Sequence, residues 1–360
     1  MVKTIKISTI LMLFVFISCT DKFDINQFQN SDANANIGGD TVYVQLSPDW
    51  TGFNNPQDIY IGKEPFIYIA DTDNDRIVMM NLAGQILDTR AIKKPVAITQ
   101  DFKLNLIVCA EFDTLIGGVT KTFSAVYKFN LVKASHKISD AELVRLLPTD
   151  FTPINEKRKY TGATTFYNNM FYIARQGPSN SSIFDPDNSI LIFYPKSFYG
   201  KGEGDTLVGR VANIDPVSSG LISANQISSL SSINKKNMDF VATLTGNNSF
   251  KAQWFHYQIT AIDEKYVSQF SPQDGIGFVL PNRFSKPEGS WVDNSGNIYI
   301  ADAEKDSIFK FNAFGEELQS FGGSRLFNSP YAVAFFDKTL YVVDTGNNRI
   351  LRFILSTDLN

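Results

Sequence analysis

Three stretches of this 360-residue chain share one layout: "IYIADTDNDRI" at residues 67–77, "IYIADAEKDSI" at 298–308 and "LYVVDTGNNRI" at 340–350. In each, an apolar run rich in β-branched and aromatic residues ends in an aspartate (Asp71, Asp302, Asp344), passes a polar turn and resumes as a second apolar run. A proline opens a further apolar stretch before each one, at Pro56, Pro287 and Pro330. Pro287 and Pro330 lie 330 − 287 = 43 residues apart, and Asp302 and Asp344 lie 344 − 302 = 42 apart. Short strands recurring at about 40 residues, four to a unit, are the pattern of a propeller blade.

Weaker copies fill the space between. "KPVAITQ" at 94–100 begins a second unit with Glu111 in the aspartate position. "YTGATTFYNNMFYIARQG" begins a third with Arg175 there, and "NMDFVATLTGNN" a fourth with Thr245. Five steps from 71 to 344 cover 273 residues, so the middle units carry insertions and six blades fit the length. The last unit, "RILRFILSTDLN", stops one strand short, whereas "TVYVQLSP" at 41–48 is a lone alternating strand belonging to no unit. An open ring leaves two unpaired edges, so residues 42–46 are expected to complete the last blade as its outer strand. The expected fold is an all-β, six-bladed propeller over residues 41–360.

Asp71, Asp73 and Asp75 also look like the start of a calcium loop. Such a loop needs Gly at its sixth position and Glu at its twelfth, and the chain offers Arg76 and Leu82. The sixth unit has Gly346 and Asn348 where the first has Asp73 and Asp75, so only the first aspartate is expected to be kept by the fold. Asp71, Asp302 and Asp344 then read as turn scaffold, with Arg76 and Arg349 as partners of the aspartate five residues earlier or of the next blade.

The three strongest units resemble NHL repeats, in which an apolar strand is followed by Asp, a Thr- or Gly-containing turn, Asn and Arg-Ile. The resemblance implies a ring of blades around a central channel lined by the strand after each proline. It implies no single activity, because propellers of this kind include both binders and enzymes.

Hydrophobic residues make up 43% and charged residues 19%, a globular composition, and the formal charge of −4 with no basic run excludes nucleic acid as a partner. Near the start, Lys3 and Lys6 precede "ILMLFVFI" and then Ser18 and Cys19. A positive flank, a short apolar run and a small residue make an export signal, and eight apolar residues do not span a bilayer. "FISC" resembles a bacterial lipoprotein cleavage box. Residues 1–18 are thus expected to be a lipoprotein signal peptide, with Cys19 lipidated and holding the protein to the cell envelope, at the outer membrane of a double-membrane bacterium. Residues 19–40, rich in Asn, Asp, Gln and Gly, read as a flexible tether. The remaining cysteine, Cys109, sits in an apolar run and reads as a buried hydrophobe, with no disulfide to form.

Catalytic patterns are sparse. His136 reads as a loop residue and His256, among aromatics, as a packed one; a catalytic zinc site usually takes three protein ligands. "FYGKGEGDT" lacks phosphate-loop spacing and reads as a hairpin, while "PVSSGLISANQISSLSSINKKN" from Pro216 and the Lys-Arg-Lys run at 157–159 read as loops. No metal or other cofactor is implied. The candidate ligand or partner face is the end of the channel where the innermost strands begin: Gln57, Asp58, Tyr160, Glu288 and Tyr331, with Arg175 bringing a cation to it. The expected function is a lipid-anchored, extracytoplasmic binding or scaffolding propeller for a protein, peptide or glycan partner. The alternative is a metal-dependent lyase or hydrolase acting in the channel.

Overall fold

A computed structural model describes residues 41–233 and 236–359. These residues form six four-stranded antiparallel sheets; five are simple meanders from an innermost to an outermost strand, and the sixth takes its outermost strand from Tyr43–Trp50. The innermost strands are Pro56–Ile61, Lys93–Gln100, Lys159–Thr165, Ile227–Ser232, Pro287–Val292 and Pro330–Phe336, which define blades 1 to 6. The all-β, six-bladed propeller expected from the repeat is therefore the fold. Residues 1–40, which hold the expected signal peptide, Cys19 and the tether, lie outside the described residues.

The second strands are largely buried runs; "IYIAD" in blade 1 has no exposed position. The twofold alternation of a strand explains why. Ile67 and Ile69 point to one side and pack with Ala334, Tyr341 and Val343 of blade 6, whereas Tyr68 and Ala70 point to the other and pack with Ile98, Leu106 and Val108 of blade 2. The same division recurs around the ring, so every pair of successive blades encloses its own apolar cluster. Sequence that is apolar on both faces is what a blade clamped between two others requires.

Closure follows the expectation. Tyr43–Trp50 pairs antiparallel with Arg349–Leu355 as the outermost strand of blade 6, with Val44 opposite Ile354. Trp50 is buried against Tyr341, with ring centroids 5.7 Å apart, and the Arg352 guanidinium lies 4.7 Å from its ring. Arg349 donates to Asp344 at 2.7 Å and to Asp49 of the closing strand at 2.9 Å, joining turn and closure.

The aspartate turn is a hydrogen-bond scaffold. Asp71 accepts from the Asn54 amide at 2.7 Å, Asn74 Nδ2 at 2.9 Å and Arg76 Nε at 2.7 Å. Asp344 accepts from the equivalent groups, the Asn328 amide, Asn347 Nδ2 and Arg349 Nε. Asp302, which has Ser307 in place of the arginine, takes three backbone amides instead. One expectation needs correction here, because Asp75 is not mere decoration. Asp75, Asp306 and Asn348 all adopt the left-handed conformation (φ 46–56°), and their side chains accept the amide of Lys94, Ser329 and Asn55 in the next blade. Those three residues precede prolines and themselves have positive φ, a strained setting. The carboxylate or amide from the preceding blade holds each one in place.

Two further expectations fail in the middle of the chain. The stretch after Pro216 is not all loop, because its Ile227–Ser232 portion is the innermost strand of blade 4. Its four serines disguise the strand, while Ile227 and Leu230 anchor it in the core. Strand register then makes Leu244, opposite Ile227, the counterpart of Asp71, one residue before Thr245. The Lys-Arg-Lys run is not all loop either, since Lys157 ends a short helix, Pro153–Lys157, and Lys159 opens the innermost strand of blade 3. The Arg158 side chain is 11% exposed and bridges Asp185 and Asp187.

Candidate functional site

The six innermost strands enclose a channel of about 560 Å³, within the 300–1,000 Å³ of ordinary small-molecule sites. Each of these strands is the inner edge of its sheet, paired on one side only. An unpaired edge needs hydrogen-bond partners, and the preceding blade supplies them. Thr161 Oγ1 donates to the Ile227 carbonyl at 2.6 Å, Ser228 Oγ to that of Pro287 at 2.7 Å and Ser231 Oγ to that of Ser290 at 2.8 Å. Thr164 Oγ1 accepts the Ser232 amide at 2.7 Å, and Asp58 Oδ2 the Ile98 amide at 2.6 Å. Thr72 and Thr345, each just after the turn aspartate, donate to the carbonyls of Pro95 and Pro56 at 2.7 Å. Much of the polar lining is therefore stitching between blades.

Gly162 and Gly289 occupy the register position of Asp58 in blades 3 and 5. A Cβ at Gly289 would stand 2.3 Å from the Tyr331 carbonyl, so the adjacent strands approach to a distance only glycine permits there. In blade 1, Asp58 fills the corresponding position with a carboxylate bound to the neighbour's edge.

Of the residues expected at the binding face, Gln57, Asp58, Glu288 and Tyr331 line the channel. Gln57, Glu288 and Tyr331 each follow the opening proline of blades 1, 5 and 6, three consecutive blades, and so form one arc of the mouth. Glu288 pairs with Lys286 at 2.7 Å, and the Lys286 ammonium lies 5.3 Å from the Tyr331 ring. Burial alone would depress the Lys286 pKa, but Glu288 and Tyr331 outweigh it and hold it above its ordinary value.

Tyr160 and Arg175 are elsewhere. Tyr160 is buried in the apolar cluster between blades 2 and 3. Arg175 is 5% exposed and grips its own loop, donating to the carbonyls of Pro186 and Asp187 and to the Asp185 carboxylate. It brings no cation to the channel. An arginine in the aspartate position inverts the local charge, and the loop supplies the acids that answer it.

Sequence reasoning missed an aromatic pair in the channel wall. Tyr60 of blade 1 and Trp291 of blade 5 meet with ring centroids 5.5 Å apart at 64°, and both line the channel. Their signal was present in the repeat, since both stand four residues after the opening proline. The serines of blade 4 were missed because their strand was.

Asp58 is the distinctive titratable group. It accepts the amides of Ile59 and Ile98, yet burial outweighs these bonds and lifts its pKa to about 7. No Lys, Arg or His lies within salt-bridge reach of it among the described residues. Cys109 is buried behind the wall, and burial pushes its thiol far above the ordinary range. His256 is not closely packed: its side chain is 41% exposed, and it pairs with Asp239 at 2.9 Å, outside the channel lining. Among the described residues no three or more His, Cys, Asp or Glu side chains converge to hold a metal ion.

No protein-family model matches the chain, and no curated protein matches it. Solved structures do. A gluconolactonase from Xanthomonas campestris superposes with a TM-score of 0.54 at 12% identity, over 88% of this chain and 90% of that one. The PQQ-bound aldose sugar dehydrogenase of Streptomyces coelicolor gives 0.54 at 13%, over 88% and 99%. A Bacteroides thetaiotaomicron protein of unknown function gives 0.53 at 15%, over 88% and 76%. At such identities the likeness is one of fold, and it places the chain among six-bladed propellers.

Proposed function

We propose that this chain is a tethered binding propeller of NHL-like type that captures a ligand in its central channel without transforming it. The observation that carries the reading is the use made of the channel's polar groups. The hydroxyls that could serve as nucleophiles instead bond strand edges and one another, and none that lines the channel is hydrogen-bonded to a histidine or a carboxylate among the described residues. A nucleophile without a base is weak. What remains is a cavity with an aromatic pair in its wall, polar walls otherwise, and a mouth formed by Gln57, Glu288 and Tyr331. Such a cavity suits selective binding of a small molecule or of one residue of a peptide or glycan.

Anchoring belongs to the same proposal. Lipidation of Cys19 would hold the propeller to the envelope, with residues 20–40 spacing it from the membrane. Incorporation of labelled palmitate that is lost on Cys19→Ser tests this part. For the channel, the test is thermal stabilisation across a panel of peptides and glycans, repeated with Gln57→Trp to narrow the mouth. A ligand present at 100 times its Kd adds about 2.7 kcal/mol to stability. A stabilising ligand insensitive to Gln57→Trp would remove the channel from the proposal.

One observation favours an enzymatic second reading. A carboxyl with a pKa lifted to about 7 inside a cavity is suited to general-base work, and two of the three structural neighbours described above are named as enzymes. Turnover of a lactone panel that disappears in Asp58→Asn would establish that reading over the first.

A further inference from the structure

We propose that the ligand of the channel carries a positive charge on an organic group, an ammonium or guanidinium such as a basic peptide side chain, and that Asp58 is its counter-charge. This deepens the binding reading above and rests on it.

Three features converge. First, the charges lining the channel are unbalanced: Asp58, Glu288, Asp293 and Asp337 against Lys63. Two of the acids are accounted for locally. Glu288 pairs with Lys286, and Asp293 accepts the amides of Ser295 and Asn297 in its own turn. Asp58 has only the two backbone amides, and each of its oxygens keeps a free lone pair.

Second, Asp58 stands in a place where charge is costly. Half-buried in the channel wall, with no ion-pair partner among the described residues, its carboxylate is partly withdrawn from water, which raises its pKa. In a channel without such a partner, a bound cation supplies the missing charge, whereas an anion would add a like charge.

Third, Tyr60 follows Asp58 by two residues on the same strand, about 7 Å further down the channel. Its ring meets that of Trp291. A carboxylate above an aromatic pair is the arrangement that holds an organic cation, through a charge-assisted hydrogen bond to the head and π-face contact to its stem. A neutral sugar would find the aromatic pair too, but it would gain nothing from the Asp58 carboxylate, which could then take up a proton instead. A hydrated divalent ion would need further oxygen ligands that do not converge here.

The test is isothermal calorimetry on the full chain with four probes: Nα-acetyl-arginine amide, its neutral isostere Nα-acetyl-citrulline amide, glucose and calcium chloride. The arginine probe is expected to bind at least tenfold more tightly than the citrulline probe. Asp58→Asn, close to isosteric, should abolish that difference, and Trp291→Leu should weaken the arginine probe while leaving Asp58 in place. Circular dichroism checks the fold of both variants, and Trp291→Leu keeps the test decisive if Asp58→Asn does not fold. Equal binding of the arginine and citrulline probes overturns the inference, as does an arginine probe indifferent to both variants. Asp58-dependent binding of calcium without the arginine probe also overturns it. If glucose or citrulline binds and the arginine probe does not, the cationic inference falls while the channel reading stands. If no probe binds the folded wild type, the cationic inference falls, and the peptide and glycan panel judges the channel.

Discussion

Asp344→Asn is the sharpest probe of how the ring is held shut. The Asp344 side chain has no exposed surface and accepts the Asn328 amide, Asn347 Nδ2 and Arg349 Nε, all within 2.7–2.8 Å. The substitution keeps the shape, removes the charge and forces one amide nitrogen to face a donor. Breaking one partner of a buried ion pair costs about 3–5 kcal/mol. Because Arg349 is 27% exposed and keeps Asp49 as a second partner, a cost at or below the lower end of that range, about 2–3 kcal/mol, is expected. At roughly 2.1 cal/mol/K per residue over some 320 residues, 1 kcal/mol corresponds to about 1.5 °C, so the melting temperature should fall by about 3–5 °C. Differential scanning calorimetry measures this, with Glu304→Gln, on the exposed side of the corresponding turn in blade 5, as the control. An Asp344→Asn protein melting within 1 °C of the wild type would refute the view that this aspartate carries the turn.

Asp58 predicts a pH dependence of opposite sign to that of a salt-bridged carboxylate. Its folded pKa is raised from 3.8 to about 7, so its contribution to stability is fully present below about pH 4 and is lost as pH rises to about 7, on the order of 2–4 kcal/mol. Urea titrations of Asp58→Asn should lack that decline and show a variant at least as stable as the wild type at pH 8; parallel profiles would contradict it. Gly289→Ala should destabilise by about 1–3 kcal/mol, because its Cβ would lie 2.3 Å from the Tyr331 carbonyl and 2.8 Å from Ala332 Cα. A wild-type denaturation midpoint for that variant would mean that the strands of blades 5 and 6 separate at little cost.

The fold was legible where each repeat carries its own punctuation. Pro, Asp and Arg-Ile mark blades 1 and 6 with the same bonds in the same places, and the unmatched strand at 41–48 already implied closure. Legibility failed where chemistry was conserved and residue type was not. Asp75, Asp306 and Asn348 perform one task across the blade boundary, yet an aspartate and an asparagine look like a broken pattern in letters. Ile227–Ser232 failed for a different reason. A strand lining a polar channel needs only a narrow apolar face, and "ISSLSS" carries just Ile227 and Leu230 to the core. Tyr160 and Arg175 were misplaced because register was inferred without the tertiary partners that use them: the core between blades 2 and 3 takes the tyrosine, and the acids at 185–187 take the arginine.

That distinction bears on how polar residues in a propeller channel should be weighed. The inner edge of every blade presents backbone groups that must be satisfied, so threonines and serines there are expected on structural grounds alone. The lining of blades 3 and 4 fits this: Thr161, Thr164, Ser228 and Ser231 each bond a strand edge of the following blade. A group stands out only when its chemistry exceeds the task. Asp58 caps one edge amide, which a neutral Ser, Thr or Asn could also do, and it does so with a charge that the fold does not neutralise. A destabilising charge at a position that a neutral side chain could fill points to use rather than architecture. The hydroxyls of the walls thus serve folding, and Asp58, beside the Tyr60–Trp291 pair, is the part of the channel that calls for a ligand.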